Sequence, residues 1–240
     1  MLKNIFASTT FVMALLVSPA AMADDIYASD LVVGADLTED FDTKFGYVAL
    51  THSFNGDIRA DGFVVKTAAT YGHYSYDDGS MPGGVVDGYV SQGNLLGGYK
   101  VVEGDFAIWG LVGLDYNDLR LTPDEATSVF EGSNFGIKAV VEGELNSADT
   151  LYLHAIGEVS SIKDSYFTRL RAGPNISSVS FGPEIALLGE DGWQLLRYGG
   201  YMRFGLTDQV VVSASGGDAK TLKAEGGDGS FATISLNFSF

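Results

Sequence analysis

The chain reads as an all-β protein, a single antiparallel up-and-down transmembrane β-barrel of about twelve strands, and three observations point there. Residues 231–240 alternate without a break: Ala232, Ile234, Leu236, Phe238 and Phe240 fall on one face, and Thr233, Ser235, Asn237 and Ser239 on the other. Successive side chains of a strand point to opposite sides, so this strand has a greasy face for lipid and a wet face for a lumen. No segment of the mature chain is long and apolar enough for a membrane helix, which leaves a closed barrel as the way to cross a bilayer. Connection lengths also segregate by parity, as alternating strand direction requires. The even-numbered links at Gly56-Asp57, Glu103-Gly104, Ser147-Ala148, Ile176-Ser177 and Thr207-Asp208 are short, while the long links 37–43, 77–87, 117–132 and 217–229 are all odd-numbered. With both termini in the periplasm, the long links become the outward loops.

Taken from the N-terminus, Lys3, the apolar run 11–17, Pro19 and Ala21-Met22-Ala23 form a secretory signal peptide over residues 1–23, cleaved after Ala23. Its apolar core falls short of the ~18 residues a membrane anchor needs. Residues 24–240 then form the barrel, with strands over 27–36, 44–55, 61–76, 88–101, 105–116, 133–145, 150–161, 165–174, 178–189, 192–205, 208–216 and 230–240. The 31 glycines suit strands that curve and pack closely, and the scarcity of proline, 5 in all, spares ladder donors. The alternation breaks in strand 44–55, which is apolar on both faces at Phe45, Tyr47, Val48 and Leu50, and strand 178–189 contains Pro183. A soluble lipocalin-like barrel or sandwich with a packed interior also fits such strands and is the structural rival.

The formal net charge is −17; losing Lys3 with the signal peptide makes it −18. Nucleic acid is disfavoured as a partner. Much of the acidity lies in turn segments such as Glu39-Asp40, Asp77-Asp78, Asp124-Glu125 and Glu190-Asp191, where it hydrates the aqueous ends. With no cysteine, stability rests on strand pairing and packing.

If the greasy face meets lipid, charges collect on the lumen face. Lys138, Glu142 and Glu144 lie opposite Phe135, Ile137, Ala139 and Val141, and His154 and Glu158 lie opposite Leu151, Leu153 and Ala155. Arg169 and Arg171 flank Leu170, Glu184 opposes Phe181, Ile185 and Leu187, and Arg197 and Arg203 oppose Leu196, Tyr198, Met202 and Phe204. A carboxylate-rich sector thus abuts an Arg-rich one, an interior lattice of charge-assisted hydrogen bonds. It either braces a narrow lumen or lines a selective polar channel; bracing is favoured because buried charges are tolerated only when paired, and the counts on adjacent strands look matched. Gly98, Gly136 and Gly199 on the same face leave room for water. Tyr71, Tyr74, Tyr76, Tyr99, Tyr116, Tyr166 and Phe240 fall near strand ends, where rings settle at the headgroup level.

Some outer-membrane barrels hydrolyse lipid with Ser and His at the wall, and His73 with Ser75, oriented by Asp77 or Asp78, is the candidate pair. No strained nucleophile turn accompanies it, so no catalytic residue is assigned and the chain is expected not to be an enzyme. Separated histidines at 52, 73 and 154 and the absence of Cys give no metal site, and no cofactor is expected. Gly216-Gly217 and Gly226-Gly227-Asp228-Gly229 lack phosphate-loop spacing and read as turns.

A collinear set of segments resembles the cellulose biosynthesis protein BcsS family: Asp61-Gly62-Phe63 leading into Tyr71-Gly72-His73-Tyr74-Ser75-Tyr76, Leu96-Gly97-Gly98-Tyr99-Lys100, Val112-Gly113-Leu114-Asp115-Tyr116, Leu121-Thr122-Pro123-Asp124, Glu142-Gly143-Glu144-Leu145, Arg169-Leu170-Arg171-Ala172-Gly173 and Phe181-Gly182-Pro183-Glu184-Ile185. The last is the most distinctive. The resemblance implies a role in production or export of cellulose or a related exopolysaccharide at the bacterial outer membrane, with outer-membrane lipid, the polysaccharide and its secretion machinery as partners. It brings no reaction with it. The expectation is an accessory barrel acting as scaffold or narrow conduit, with a porin-like small-solute channel as the alternative and a lipid-modifying enzyme as the remote one.

Overall fold

The computed structural model describes residues 26–39, 42–78, 84–124, 126, 128, 131–223 and 228–240, so the expected signal peptide lies outside the described residues. Twelve strands follow one another in the chain: β1 (Ser29–Thr38), β2 (Thr43–Ser53), β3 (Gly62–Asp77), β4 (Val85–Glu103), β5 (Phe106–Thr122), β6 (Gly132–Ser147), β7 (Leu151–Ser160), β8 (Tyr166–Ile176), β9 (Val179–Glu190), β10 (Trp193–Gly205), β11 (Val210–Lys223) and β12 (Asp228–Ser239). Each pairs antiparallel with its neighbours in sequence, and β12 returns to β1 to close the ring. The seam runs from Asp30↔Ser239 to Thr38↔Phe231, and Ser29 and Phe240 exchange backbone hydrogen bonds at 2.8 and 2.9 Å beyond it. Every strand edge is thereby used.

The wall is inside-out relative to a soluble barrel. Phe135 is 80% exposed and Leu114 67%, with Ile137, Val141 and Ile185 also outward, while Arg171, Glu184 and Arg197 are buried on the inner face. That distribution removes the soluble lipocalin-like rival, which would put its apolar side chains inside. The two-faced β2 has a simple reason: Val48 points out, whereas Phe45 packs inward against Val86, Val90, Leu119, Leu121 and Ala126. This apolar cluster caps the end of the lumen far from the termini; Ala126, from the link after β5, sits within it.

The end carrying both termini is closed differently. The link 54–61 is one of the even-numbered connections expected to be short, but it forms a strap over the mouth. Ile58 is buried against Tyr27, Val64, Leu96, Leu111 and Val140. Its amide donates to the Tyr27 carbonyl at 2.6 Å, and its carbonyl accepts from Lys100 Nζ at 2.7 Å. Arg59 stacks on the Tyr27 ring and donates to the Asp208 carbonyl, at 2.8 Å, in the link between β10 and β11. The alternation rule placed the strap's first residues in strand 44–55 and could not see its inward fold.

Other differences have local causes. Gly216-Gly217, expected as a turn, lies within β11, which continues to Lys223. A Cβ at Gly217 would collide with the Tyr198 carbonyl and one at Gly199 with the Gly216 carbonyl, so these glycines serve close strand approach and not a turn or a water space. Gly173 and Gly182 make the same contact between β8 and β9. At Gly98 and Gly136, also expected to leave room for water, a Cβ would meet the Gly110 carbonyl and the Ser161 and Ile162 side chains. Tyr74 and Tyr76 leave the expected aromatic girdle and pack on the inner cluster, while Tyr71 and Tyr99 stay outside.

Gly173→Val should abolish the heat-modifiable band that marks a folded barrel on unboiled SDS gels. Gly97→Ala, where a methyl group meets nothing within 4 Å, should leave it intact.

Candidate functional site

Inward alternation sets Lys138, Glu142 and Glu144 of β6, His154 and Glu158 of β7, Arg169 and Arg171 of β8, Glu184 of β9, and Arg197 and Arg203 of β10 on the lumen face. They form a lattice because opposite charges brought out of water must find each other. Lys138 pairs with Glu158 at 3.6 Å, His154 Nε2 with Glu142 at 2.9 Å, and Arg171 Nε with Glu184 Oε2, each between adjacent strands. Two further pairs cross the interior. Lys66 of β3 reaches Glu142 of β6 at 3.5 Å, passing over β4 and β5. Arg197 of β10 grips Asp36 of β1 through both terminal nitrogens, at 2.8 and 2.9 Å, and also donates to Thr38. Thr233 of β12 completes that knot with a 2.8 Å bond to Asp36.

The expected matching of charges on adjacent strands does not hold in the Arg-rich sector. Of its guanidiniums, Arg171 has Glu184 and Arg197 has Asp36, whereas Arg169 and Arg203 have no carboxylate within 4 Å among the described residues. Arg203 instead lies over the Tyr152 ring, 5.1 Å from its centroid, and Arg171 over Tyr201 at 5.5 Å. Tyr152 and Tyr201 belong to β7 and β10, yet their rings meet 5.7 Å apart. Their register partners are Gly173 and Gly182, which abut each other, so the rings reach over a stretch of wall without side chains.

Asp36, Lys66, Tyr152 and Tyr201 were missed as lumen residues, although alternation in β1 and β3 marks Asp36 and Lys66 as inward. No local pattern announces that Asp36 is the partner of Arg197, 161 residues away. Among the described residues Glu144 has no ion pair and accepts a long 3.5 Å bond from Tyr152.

At the outer wall, His73 Nε2 lies 3.2 Å from Asp87 Oδ1. Asp87 faces Ser75 in the β3–β4 register, so the carboxylate on His73 comes from the next strand and not from Asp77 or Asp78. His52 bonds Ser29 at 2.9 Å. Among the described residues no cluster of His, Cys, Asp and Glu could hold a metal ion. Outside the wall, a hydrogen bond from Lys44 holds the Asp42 carboxyl below its usual range.

Fold and lumen define a transmembrane β-barrel whose interior is spanned by ion pairs. The chain belongs to the cellulose biosynthesis protein BcsS family, whose model matches residues 33–240. No curated protein is detectably similar. Among solved structures, the KdgM porin is 8% identical, with a TM-score of 0.48 over 88% of this chain and 99% of that one. Omp33 of Acinetobacter baumannii is 15% identical, with a TM-score of 0.44 over 90% of this chain and 99% of that one. The β-domain of the Bordetella autotransporter BrkA is 13% identical, with a TM-score of 0.48 over 89% of this chain and all of that one.

Removing one member of a buried pair strands the other, at a cost of about 3–5 kcal/mol. Glu184→Gln should therefore lower the heat-modifiability midpoint by on the order of 10 °C. Replacing Arg171 and Glu184 together by Met should recover most of the loss, separating a stranded charge from lost packing.

Proposed function

We propose that this chain is an outer-membrane accessory of cellulose or related exopolysaccharide production, with both termini toward the periplasm, acting as a closed scaffold. The observation that carries this reading is the pair of bridges across the lumen, Lys66–Glu142 and Arg197–Asp36. Each bridge joins inner-face side chains three strands apart in the ring and so narrows the lumen that a glucan chain would have to thread, and charges pulled apart in a confined interior lose partners that water there replaces poorly. The apolar cap containing Ala126 and the strap bearing Ile58 support the same reading at the two ends. The assignment to exopolysaccharide rests on membership of the family.

In this role the barrel's contribution is mechanical. Its apolar exterior takes lipid as partner, its lumen holds the wall rigid, and the strap and short links at the terminal end form a fixed surface for secretion machinery in the periplasm. No bond is made or broken by the chain in this scheme.

Purified protein in planar bilayers should give no steady conductance, and the double variant Lys66→Ala, Arg197→Ala should give a small one. Steady current through the unaltered protein would overturn the scaffold in favour of the small-solute channel. Deletion in the producing bacterium should reduce surface cellulose measured by dye binding; unchanged cellulose and related glycans would refute the exopolysaccharide role.

A further inference from the structure

We infer that the β7–β10 sector of the lumen is a binding site for a small oxyanion, a phosphate or a carboxylate group, held by Arg169, Arg171 and Arg203 around Tyr201. Two independent observations meet there. The first is charge. In a chain with a formal net charge of −17, β8 and β10 turn four guanidiniums inward, Arg169, Arg171, Arg197 and Arg203, and among the described residues only Glu184 and Asp36 pair with them within 4 Å. Arg169 and Arg203 are left without a carboxylate within 4 Å, and against them the sector holds one carboxylate outside any ion pair, Glu144, so a positive charge remains in an enclosed wall, where an uncompensated cation is costly. Glu142 lies nearby but already serves Lys66 and His154.

The second observation is orphaned polar atoms. Among the described residues the Tyr201 hydroxyl has no partner although the residue is 4% exposed, and Arg169 Nε is likewise a buried, unpartnered donor. Buried polar groups are seldom left so, and a cluster of them marks a place for something else. Arg203 lies 5.1 Å from the centre of the Tyr152 ring and Arg171 5.5 Å from that of Tyr201, with Arg169 two positions before Arg171 on the same face of β8. Glu144 takes the Tyr152 hydroxyl at 3.5 Å and leaves the Tyr201 hydroxyl as the free donor among them. Guanidinium forks and a phenol O–H match the oxygens of phosphate and carboxylate. The ring faces are already covered by Arg203 and Arg171, so a neutral sugar finds no stacking platform. Arg203, half-buried and two positions from the end of β10, is the member nearest the terminal end of the lumen.

The site does not depend on whether the barrel serves exopolysaccharide production. The full chain, folded in detergent, is titrated at constant ionic strength with inorganic phosphate, glucuronate and glucose, reading both calorimetric heat and thermal midpoint. Saturable binding of phosphate or glucuronate is expected, with a rise of about 4 °C at tenfold excess over Kd. The stronger of the two arms tells whether the natural group is a phosphate or a sugar acid. Arg169→Gln combined with Arg203→Gln should weaken binding at least tenfold, and Lys138→Gln, in the Glu158 pair, should not. If the double variant does not fold, Arg203→Gln alone must still weaken it. No saturable response to either anion, an equal response to glucose, or undiminished binding in the Arg variants would overturn the site.

Discussion

A strand edge exposed to hydrocarbon has no water to satisfy its N–H and C=O groups, and that constraint organises everything else in this molecule. It forces β12 onto β1, and the seam from Asp30↔Ser239 to Thr38↔Phe231 is its answer. Once the ring closes at twelve strands, the volume inside is set and half of all strand side chains must occupy it. The lumen contents follow from closure and not the reverse. The glycine contacts at Gly173 with Gly182 and at Gly199 with Gly217 belong to the same constraint, letting neighbouring strands approach where any side chain would collide.

Inside that ring the chain solves a packing problem with charge. An apolar interior and an apolar exterior would leave nothing to distinguish the faces of a strand, so a one-residue slip in register would carry little penalty. Placing Arg171, Glu184 and Arg197 within and Phe135, Leu114 and Ile185 without makes every slip move a charge into lipid. Arg suits the long bridge better than Lys: Arg197 holds both oxygens of Asp36 and Thr38 at once, which a single ammonium at the end of a flexible stem does not match.

How far the sequence discloses this structure depends on how far apart the interacting residues lie. Local alternation suffices for the strand count, for the sidedness of residues such as Lys138, Arg169 and Glu184, and for closure at the C-terminal strand, because each is a property of about ten neighbouring positions. It fails where distant segments meet. Gly216-Gly217 has turn chemistry but lies in β11, since its need is for proximity to β10. Tyr74 and Tyr76 look like girdle residues until the cluster around Val86 and Leu119 gives them an inner site. The shortage of carboxylates beside Arg169 and Arg203 is invisible until Arg197 is seen to take its partner from β1.

The strap at residues 54–61 ties the link between β2 and β3 to the link between β10 and β11: Arg59 bonds the carbonyl of Asp208, 149 residues further on. Such a clasp cannot close while the later strands are still being laid down, because its receptor does not yet exist. Ile58 finds its partners in the first six strands, whereas the Arg59 bond waits for the last ones, so that one bond is fastened only on a finished sheet.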